Sequence, residues 1–378
     1  MSGDNVARPT FDKPLTDDAA RSYTLPARYY TDAAAIEREK EAIFYRNWAF
    51  IGHESQFTEP GDYVCDVVID QPIFVIRGKD GELRGFYNVC QHRAHLLLKE
   101  GAGNRKIITC PYHAWSYHAD GRLRSARNCE TVPDFDKAEF SLAPIRIETF
   151  AGFVFVNLDD DAPTLASQAP ELAEDLAHYV PRLDELVVTE VSEFAGPKAD
   201  WKVVVDNYLE CYHCTPAHEA FTDMIDMDAY RVDTWRIHSR QLGPVTHPEN
   251  AAYDFDADDP IQHSAFWYLW PTTTFNLLPG KLALYVITFL PGETPGTTTG
   301  KVVTLGLPGD GQETGARSDY LDTVLMPEDR ALCESVQRGL HSRGYQQGKF
   351  IVDKDYSGIG EHAVHHFHRL VKQALDSD

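Results

Sequence analysis

Asn88-Val89-Cys90-Gln91-His92-Arg93-Ala94-His95, followed by Thr109-Cys110-Pro111-Tyr112-His113-Ala114-Trp115, is the stretch on which the reading turns. Each segment offers one thiolate and one imidazole, as Cys90-x-His92 and as Cys110-x-x-His113. Two such loops facing each other can put both sulfurs on one iron and both imidazoles on the other, the ligand set of a histidine-ligated [2Fe–2S] cluster. A tetrahedral zinc could also take two Cys and two His. Zinc modules, however, ordinarily pair Cys with Cys and His with His at short spacing, so the mixed pairs favour the cluster.

Short β signals surround these loops: Tyr63–Ile69, Pro72–Arg77, a Gly78–Gly81 turn and Leu83–Val89. Asp120-Gly121 marks a hairpin between Trp115–His118 and Arg122–Ala126. The strand Gly152–Leu158 then runs into Asp159-Asp160-Asp161-Ala162-Pro163, a polar break and the best domain boundary. Upstream, residues 31–48 read as an amphipathic helix capped by Asp32. Downstream, helices are expected at about 167–180, 200–214, 327–341 and 359–375, with a long strand at Leu282–Leu290. A chain of 378 residues exceeds the usual single core. The expected division is an N-terminal helical segment (1–45), a β-rich unit (46–160) and a second unit (161–378).

Seven cysteines, odd in number and unevenly spaced, do not suggest a disulfide framework, and a reducing cytoplasm fits. Residues 1–30 lack the apolar core of a signal peptide, and no stretch is long enough to span a membrane. A net charge of −23 argues against a nucleic-acid partner. Between Arg84 and Arg127, however, eight basic residues face two acids, a local +6 that could dock an acidic partner or be a solvated surface.

The second dense motif is Asp206-Asn207-Tyr208-Leu209-Glu210-Cys211-Tyr212-His213-Cys214-Thr215-Pro216-Ala217-His218. On a helix Asp206, Glu210 and His213 would share a face, and Pro216 would break the helix and free His218 to swing toward His213. Two imidazoles plus a carboxylate from elsewhere make the facial triad that suits iron(II) and leaves open positions for oxygen. Cys211-x-x-Cys214 could be a redox pair, but no thioredoxin-like context surrounds it. Four histidines near the C-terminus (His362, His365, His366, His368) read as a packed terminal helix with exposed imidazoles, outside the site. No G-x-G-x-x-G opens a helix after a strand, so the chain lacks an evident nicotinamide or flavin site.

Both motifs together resemble the α subunits of Rieske non-haem iron oxygenases, and the likeness runs from about Tyr29 to Val371. In that family the first loop usually reads Cys-Pro-His-Arg-Gly; Gln91 and Ala94 depart from it, and Ala94 costs backbone freedom wherever φ is positive. Glu210 stands where many members have Asp. Glu there is typical of the branch acting on quaternary ammonium compounds, which includes carnitine monooxygenase and its glycine-betaine and proline-betaine relatives. The same branch carries Pro-Glu-Asp and then Glu-Ser-Val-Gln-Arg-Gly-Leu, as at Pro327–Asp329 and Glu334–Leu340 here.

The resemblance implies an α+β fold, a β-rich Rieske domain joined to an antiparallel-sheet, helix-grip (START-like) catalytic domain. It implies a [2Fe–2S] cluster on Cys90, His92, Cys110 and His113, and a mononuclear Fe(II) on His213, His218 and Asp329. It gives Glu210 the role of inter-subunit electron-transfer bridge in a homotrimer, with Asp206 beside it. Electrons would come from NAD(P)H through a separate flavin and ferredoxin-type reductase. Residues alone allow another reading of Glu328 and Asp329, as acids favouring a helix N-terminus. Trp267, Tyr268, Trp270 and Phe275 are the candidate pocket residues, since aromatic faces attract a quaternary ammonium. The expected reaction is O2-dependent hydroxylation next to nitrogen, with C–N cleavage or N-demethylation. Hydroxylation of an aromatic ring and a non-catalytic Rieske electron carrier or sensor are the alternatives.

Overall fold

A computed structural model describes residues 12–99, 101–310 and 315–376, so residues 1–11 of the expected N-terminal segment lie outside the described residues. Ten strands come first: β1 (Ala49–His53), β2 (Asp62–Val68), β3 (Gln71–Arg77), β4 (Leu83–Tyr87), β5 (Gly101–Asn104), β6 (Ile108–Thr109), β7 (Ser116–Tyr117), β8 (Leu123–Ser125), β9 (Pro144–Phe150) and β10 (Phe153–Asn157). They build an antiparallel sheet in the order β1-β10-β9-β4-β3-β2-β5 and a small sheet β6-β7-β8. Period-two alternation along β3 sorts its side chains. Ile73 and Val75 join one core with Ile51, Val154 and Val156. Phe74 and Ile76 join the other, which contains Cys90, Cys110, Trp115 and Tyr117. The two Cys–His loops thus leave β4 and β6 above a packed apolar floor. The Asp120-Gly121 hairpin forms as expected; Gly121 has φ +84°, and a Cβ there would meet the Phe86 ring at 2.5 Å.

Seven more strands follow: β11 (Val187–Ala195), β12 (Arg231–Thr234), β13 (His238–Pro244), β14 (His263–Leu269), β15 (Thr273–Leu277), β16 (Leu284–Pro291) and β17 (Thr298–Gly306). Their order, β11-β17-β16-β15-β14-β13-β12, is an antiparallel meander closed by β11. The helix Trp201–Tyr208 lies on β16 and β17, flanked by helices Met326–Leu340 and His362–Asp376. This is the expected α+β helix-grip arrangement. The two units pack together, with the Phe153 and Phe275 rings 4.8 Å apart and Lys301 paired with Asp66.

Three expectations need correction. The helix expected over 31–48 is broken into Arg28–Thr31, Ala35–Glu39 and a wider turn at Lys40–Phe44, because the Asp32 carboxylate takes the Ala34 N–H. The helix expected over 200–214 stops at Tyr208. The C-terminal helix buries His365 and His368 instead of exposing them. His365 contacts the Thr16 carbonyl and Ser22, while His368 reaches Asp206, Tyr30 and the Leu25 N–H.

The start of the helix Trp201–Tyr208 carries a buried charge cluster. Asp200 caps it, accepting from the Lys202 N–H at 3.0 Å. The fully buried Lys202 ammonium lies 2.5 Å from Glu39 and 2.7 Å from Asp200, and the Trp201 indole donates to the other Glu39 oxygen. Removing one partner of a buried pair strands the other's charge. Lys202→Ala is expected to lower unfolding free energy by about 3–5 kcal/mol in chemical denaturation; a loss below about 1 kcal/mol would show that the pair is dispensable.

Candidate metal centres

The first centre is built from two copies of one backbone device. In the first loop the Ala94 N–H donates to the Cys90 carbonyl (3.0 Å) and the Cys90 N–H to that of His95 (2.9 Å). In the second, the Ala114 N–H donates to Cys110 (3.0 Å) and the Cys110 N–H to Trp115 (2.8 Å). Both alanines sit in the left-handed region, at φ +54° and +59°. That conformation costs a non-glycine residue about 1–2 kcal/mol, so the departure at Ala94 adds strain without changing the loop.

The loops bring like with like. Cys90 and Cys110 are buried within hydrogen-bonding reach of each other, and the rings of His92 and His113 are 4.5 Å apart. The Tyr117 hydroxyl accepts from the Gln91 N–H and lies 3.3 Å from Cys90 Sγ, while Trp115 stacks on His92 at 4.7 Å. Burial pushes the Cys90 thiol up, so a thiolate there needs a cation beside it. His92 Nδ1 is buried without a protein partner. Paired thiols, paired imidazoles and an orphaned ring nitrogen fit a histidine-ligated [2Fe–2S] cluster.

The second centre follows the end of the helix Trp201–Tyr208. Gln241 and Asn276 fall on one row across the sheet, in register with Phe266 and Tyr285. Gln241 donates to the Tyr208 carbonyl (2.7 Å), satisfying an end group of the helix, and the Tyr208 hydroxyl donates to Asn276 (2.9 Å). Beyond Leu209 the chain turns, because Glu210 accepts the His213 N–H at 3.0 Å and Cys211 is disulfide-bonded to Cys214. Asp206, Glu210 and His213 therefore do not share a helical face. Pro216 sits within the short helix Cys214–Ala217 instead of breaking one, and that helix ends at His218.

His213, His218 and Asp329 converge. The two Nε2 atoms are 3.1 Å apart, and Asp329 Oδ1 is 3.0 Å from that of His218 and 3.4 Å from that of His213. Ligands about 2.1 Å from one metal ion, at right angles, are about 3 Å apart, so these atoms match one triangular face of an octahedral site. The hydrogen bonds behind the rings say the same. His213 Nδ1 is 2.7 Å from Glu210, and His218 Nδ1 is 2.7 Å from Glu328. A carboxylate can only accept, so each Nδ1 carries the proton. Both Nε2 lone pairs then face each other and a carboxylate oxygen, which is unfavourable without a positive charge among them. In the metal-free protein a proton supplies it: burial pulls His213 down, but Asp329 and Glu210 outweigh burial and push it up to about 9. Burial raises Asp329, but the two histidines hold it down at about 2. Iron(II) is the ion that this donor set suits. Asp329 is not at a free helix end, since a wider helical turn, Leu321–Leu325, runs straight into Met326–Leu340.

Other sequence candidates fall elsewhere. Both Asp206 oxygens are taken by His368 (2.9 Å) and Tyr30 (2.7 Å), a tie between the chain's ends, not a catalytic contact. Trp267 and Phe275 face away from the triad, toward Asp175 and Phe153, and Tyr268 and Trp270 pack on Phe367. All four are core, which corrects their assignment to the pocket. Half-buried Phe266 and Tyr285 pack instead against the cluster that holds Cys211 and Cys214, with Tyr208 against Phe266 and Phe266 against Phe221 of the helix that follows His218. Alternation along β14 was the available signal: Phe266 and Trp267 must point opposite ways. Asn207, 3.4 Å from His213 Nε2, and Glu328 are the other site residues that sequence reasoning passed over.

Residues 47–136 match the family model described as the Rieske [2Fe-2S] domain, and residues 186–377 that of the ring hydroxylating alpha subunit (catalytic domain). The chain is 42% identical to the carnitine monooxygenase oxygenase subunit of Acinetobacter pittii (strain PHEA-2), over 93% of this chain and 95% of that one. Identity to the carnitine monooxygenase oxygenase subunit of Escherichia coli (strain K12) is 39%, over 94% of each chain. The crystal structure of the quaternary ammonium Rieske monooxygenase CntA with L-carnitine matches with a TM-score of 0.82 at 40% identity, covering 93% of this chain and 96% of that one.

Two outcomes are expected. His218→Ala should lose the mononuclear iron while keeping the cluster's visible absorbance; full iron retention would refute the triad. In metal-free protein, His213 has a folded pKa raised above its unfolded value, so its stabilisation is complete below about pH 6.5 and lost as pH rises through about 9. Its ceiling is on the order of 3 kcal/mol. Melting temperatures across pH 6–9.5 should fall more for this chain than for His213→Ala; parallel curves would contradict it.

Proposed function

The chain belongs to the Rieske non-haem iron oxygenases, as an oxygenase subunit, and from that premise we propose that it hydroxylates a betaine- or carnitine-like quaternary ammonium compound. An enzyme of this family uses one [2Fe–2S] cluster, one mononuclear iron and a separate reductase. Cys90, His92, Cys110 and His113 would hold the cluster; His213, His218 and Asp329 would hold the iron. When bound, the cluster supplies electrons singly and the iron activates O2.

The observation that carries the reading is the converging triad, joined by half-buried Phe266 and Tyr285 packed against the cluster that holds Cys211 and Cys214, with Tyr208 against Phe266. Each aromatic face can attract a trimethylammonium group by about 0.5–2 kcal/mol. The identity to carnitine monooxygenase subunits favours that substrate class over an aromatic ring. Hydroxylation at a carbon bonded to the quaternary nitrogen leaves hydroxyl and ammonium on one atom. Loss of the hydroxyl proton then forms the carbonyl, and the C–N electron pair leaves with nitrogen as a tertiary amine.

The same reading covers the assembly. Glu210 orients His213 and would link it to a cluster-binding histidine of the neighbouring subunit in a homotrimer. Exposed Leu96 and Tyr112 beside the Cys–His loops suit burial against that neighbour. The excess of basic residues over Arg84–Arg127 suits an acidic, flavin and ferredoxin-type reductase that draws on NAD(P)H. The division 1–45, 46–160 and 161–378 and a cytoplasmic location belong to this proposal. Among the described residues no helix is long and apolar enough to cross a membrane.

With a reductase supplied, trimethylammonium carboxylates should stimulate NAD(P)H oxidation and O2 uptake with matching release of tertiary amine. Stimulation by benzoates alone would move the assignment to aromatic-ring hydroxylation. Cluster reduction with no turnover of either class, unchanged in His213→Ala, would make the chain an electron carrier.

A further inference from the structure

We propose that Glu328 is the positioning residue for His218, fixing which ring nitrogen faces the iron; the inference rests on the triad reading above. His218 is gripped at both ends by consecutive residues of one helix. Asp329 Oδ1 lies 3.0 Å from Nε2, and Glu328 Oε2 lies 2.7 Å from Nδ1. The His218 side chain is only 2% exposed, so water has little access to replace the glutamate on Nδ1. Because a carboxylate only accepts, the bond requires Nδ1–H and leaves the Nε2 lone pair for the metal.

The arrangement mirrors Glu210 on His213, with one difference. Glu210 spends its second oxygen on the His213 backbone N–H and borders the turn that forms the site. Glu328 stands on the other side of the triad, on the helix Met326–Leu340, and its side chain is 38% exposed. The two imidazoles are thus oriented from two separate elements. Outer carboxylates of this kind fix the tautomer and raise ligand basicity, and their loss typically weakens metal binding by about 10–100-fold.

The test measures the dissociation constant of the mononuclear iron by chelator competition in protein whose cluster absorbance is intact. Glu328→Ala should weaken iron binding by about 10–100-fold. Glu328→Gln keeps an acceptor oxygen at the same reach and should restore affinity to within a few-fold of wild type. Glu328→Asp, shorter by one methylene, should fall between them. Glu328→Ala within twofold of wild type overturns the proposal. If the alanine variant fails to fold, an aspartate variant that matches wild type overturns it equally. His218→Ala separates the two levels: if it retains iron, the triad reading fails. If it loses iron while Glu328→Ala does not, only the role of Glu328 fails.

Discussion

Everything at the second centre depends on where one short helix stops. Trp201–Tyr208 is fixed at its start by the buried Lys202–Glu39–Asp200 cluster and at its end by Gln241 and Asn276, which hold the Tyr208 carbonyl and phenol. The sheet row that supplies those two amides also carries Phe266 and Tyr285. One register therefore sets both the end of the helix before the His213–His218 turn and the placement of those two rings. A slip by one residue would turn every side chain of that row to the other face of the sheet.

The first candidate centre stood out in the sequence, because its Cys and His residues lie in two short loops and mixed Cys–His pairs rarely arise otherwise. His213 and His218 were legible for the same reason. Asp329 was not: a carboxylate early in a helix is explained just as well by the helix dipole, and only the family resemblance singled it out. In the structure the chain is already helical before it, which removes that explanation. The helix overrun past Tyr208 came from reading periodicity through a segment where Glu210 and the Cys211–Cys214 link hold a turn. Local side-chain bonds of this kind outcompete the helical ladder without disturbing the apolar pattern.

The aromatic pocket shows a different failure. Within Phe266-Trp267-Tyr268, Trp267 and Tyr268 belong to the core while Phe266 is half-buried on the Asn276 row. Choosing between the strand's two faces requires knowing which side carries the helix, and this depends on contacts distant in sequence. Asp206 failed likewise: its partners, Tyr30 and His368, lie 176 and 162 residues away. Glu328 could have been reached from the sequence only by asking what would hold the second ring nitrogen of His218.

The twin Cys–His loops carry one more implication. Each is closed by its own two backbone hydrogen bonds and seated on the Phe74–Ile76 side of β3, using no bond that a metal supplies. Backbone shape and ligand chemistry are therefore carried by different atoms: the peptide groups close each loop, and the Cys and His side chains stay free for another task.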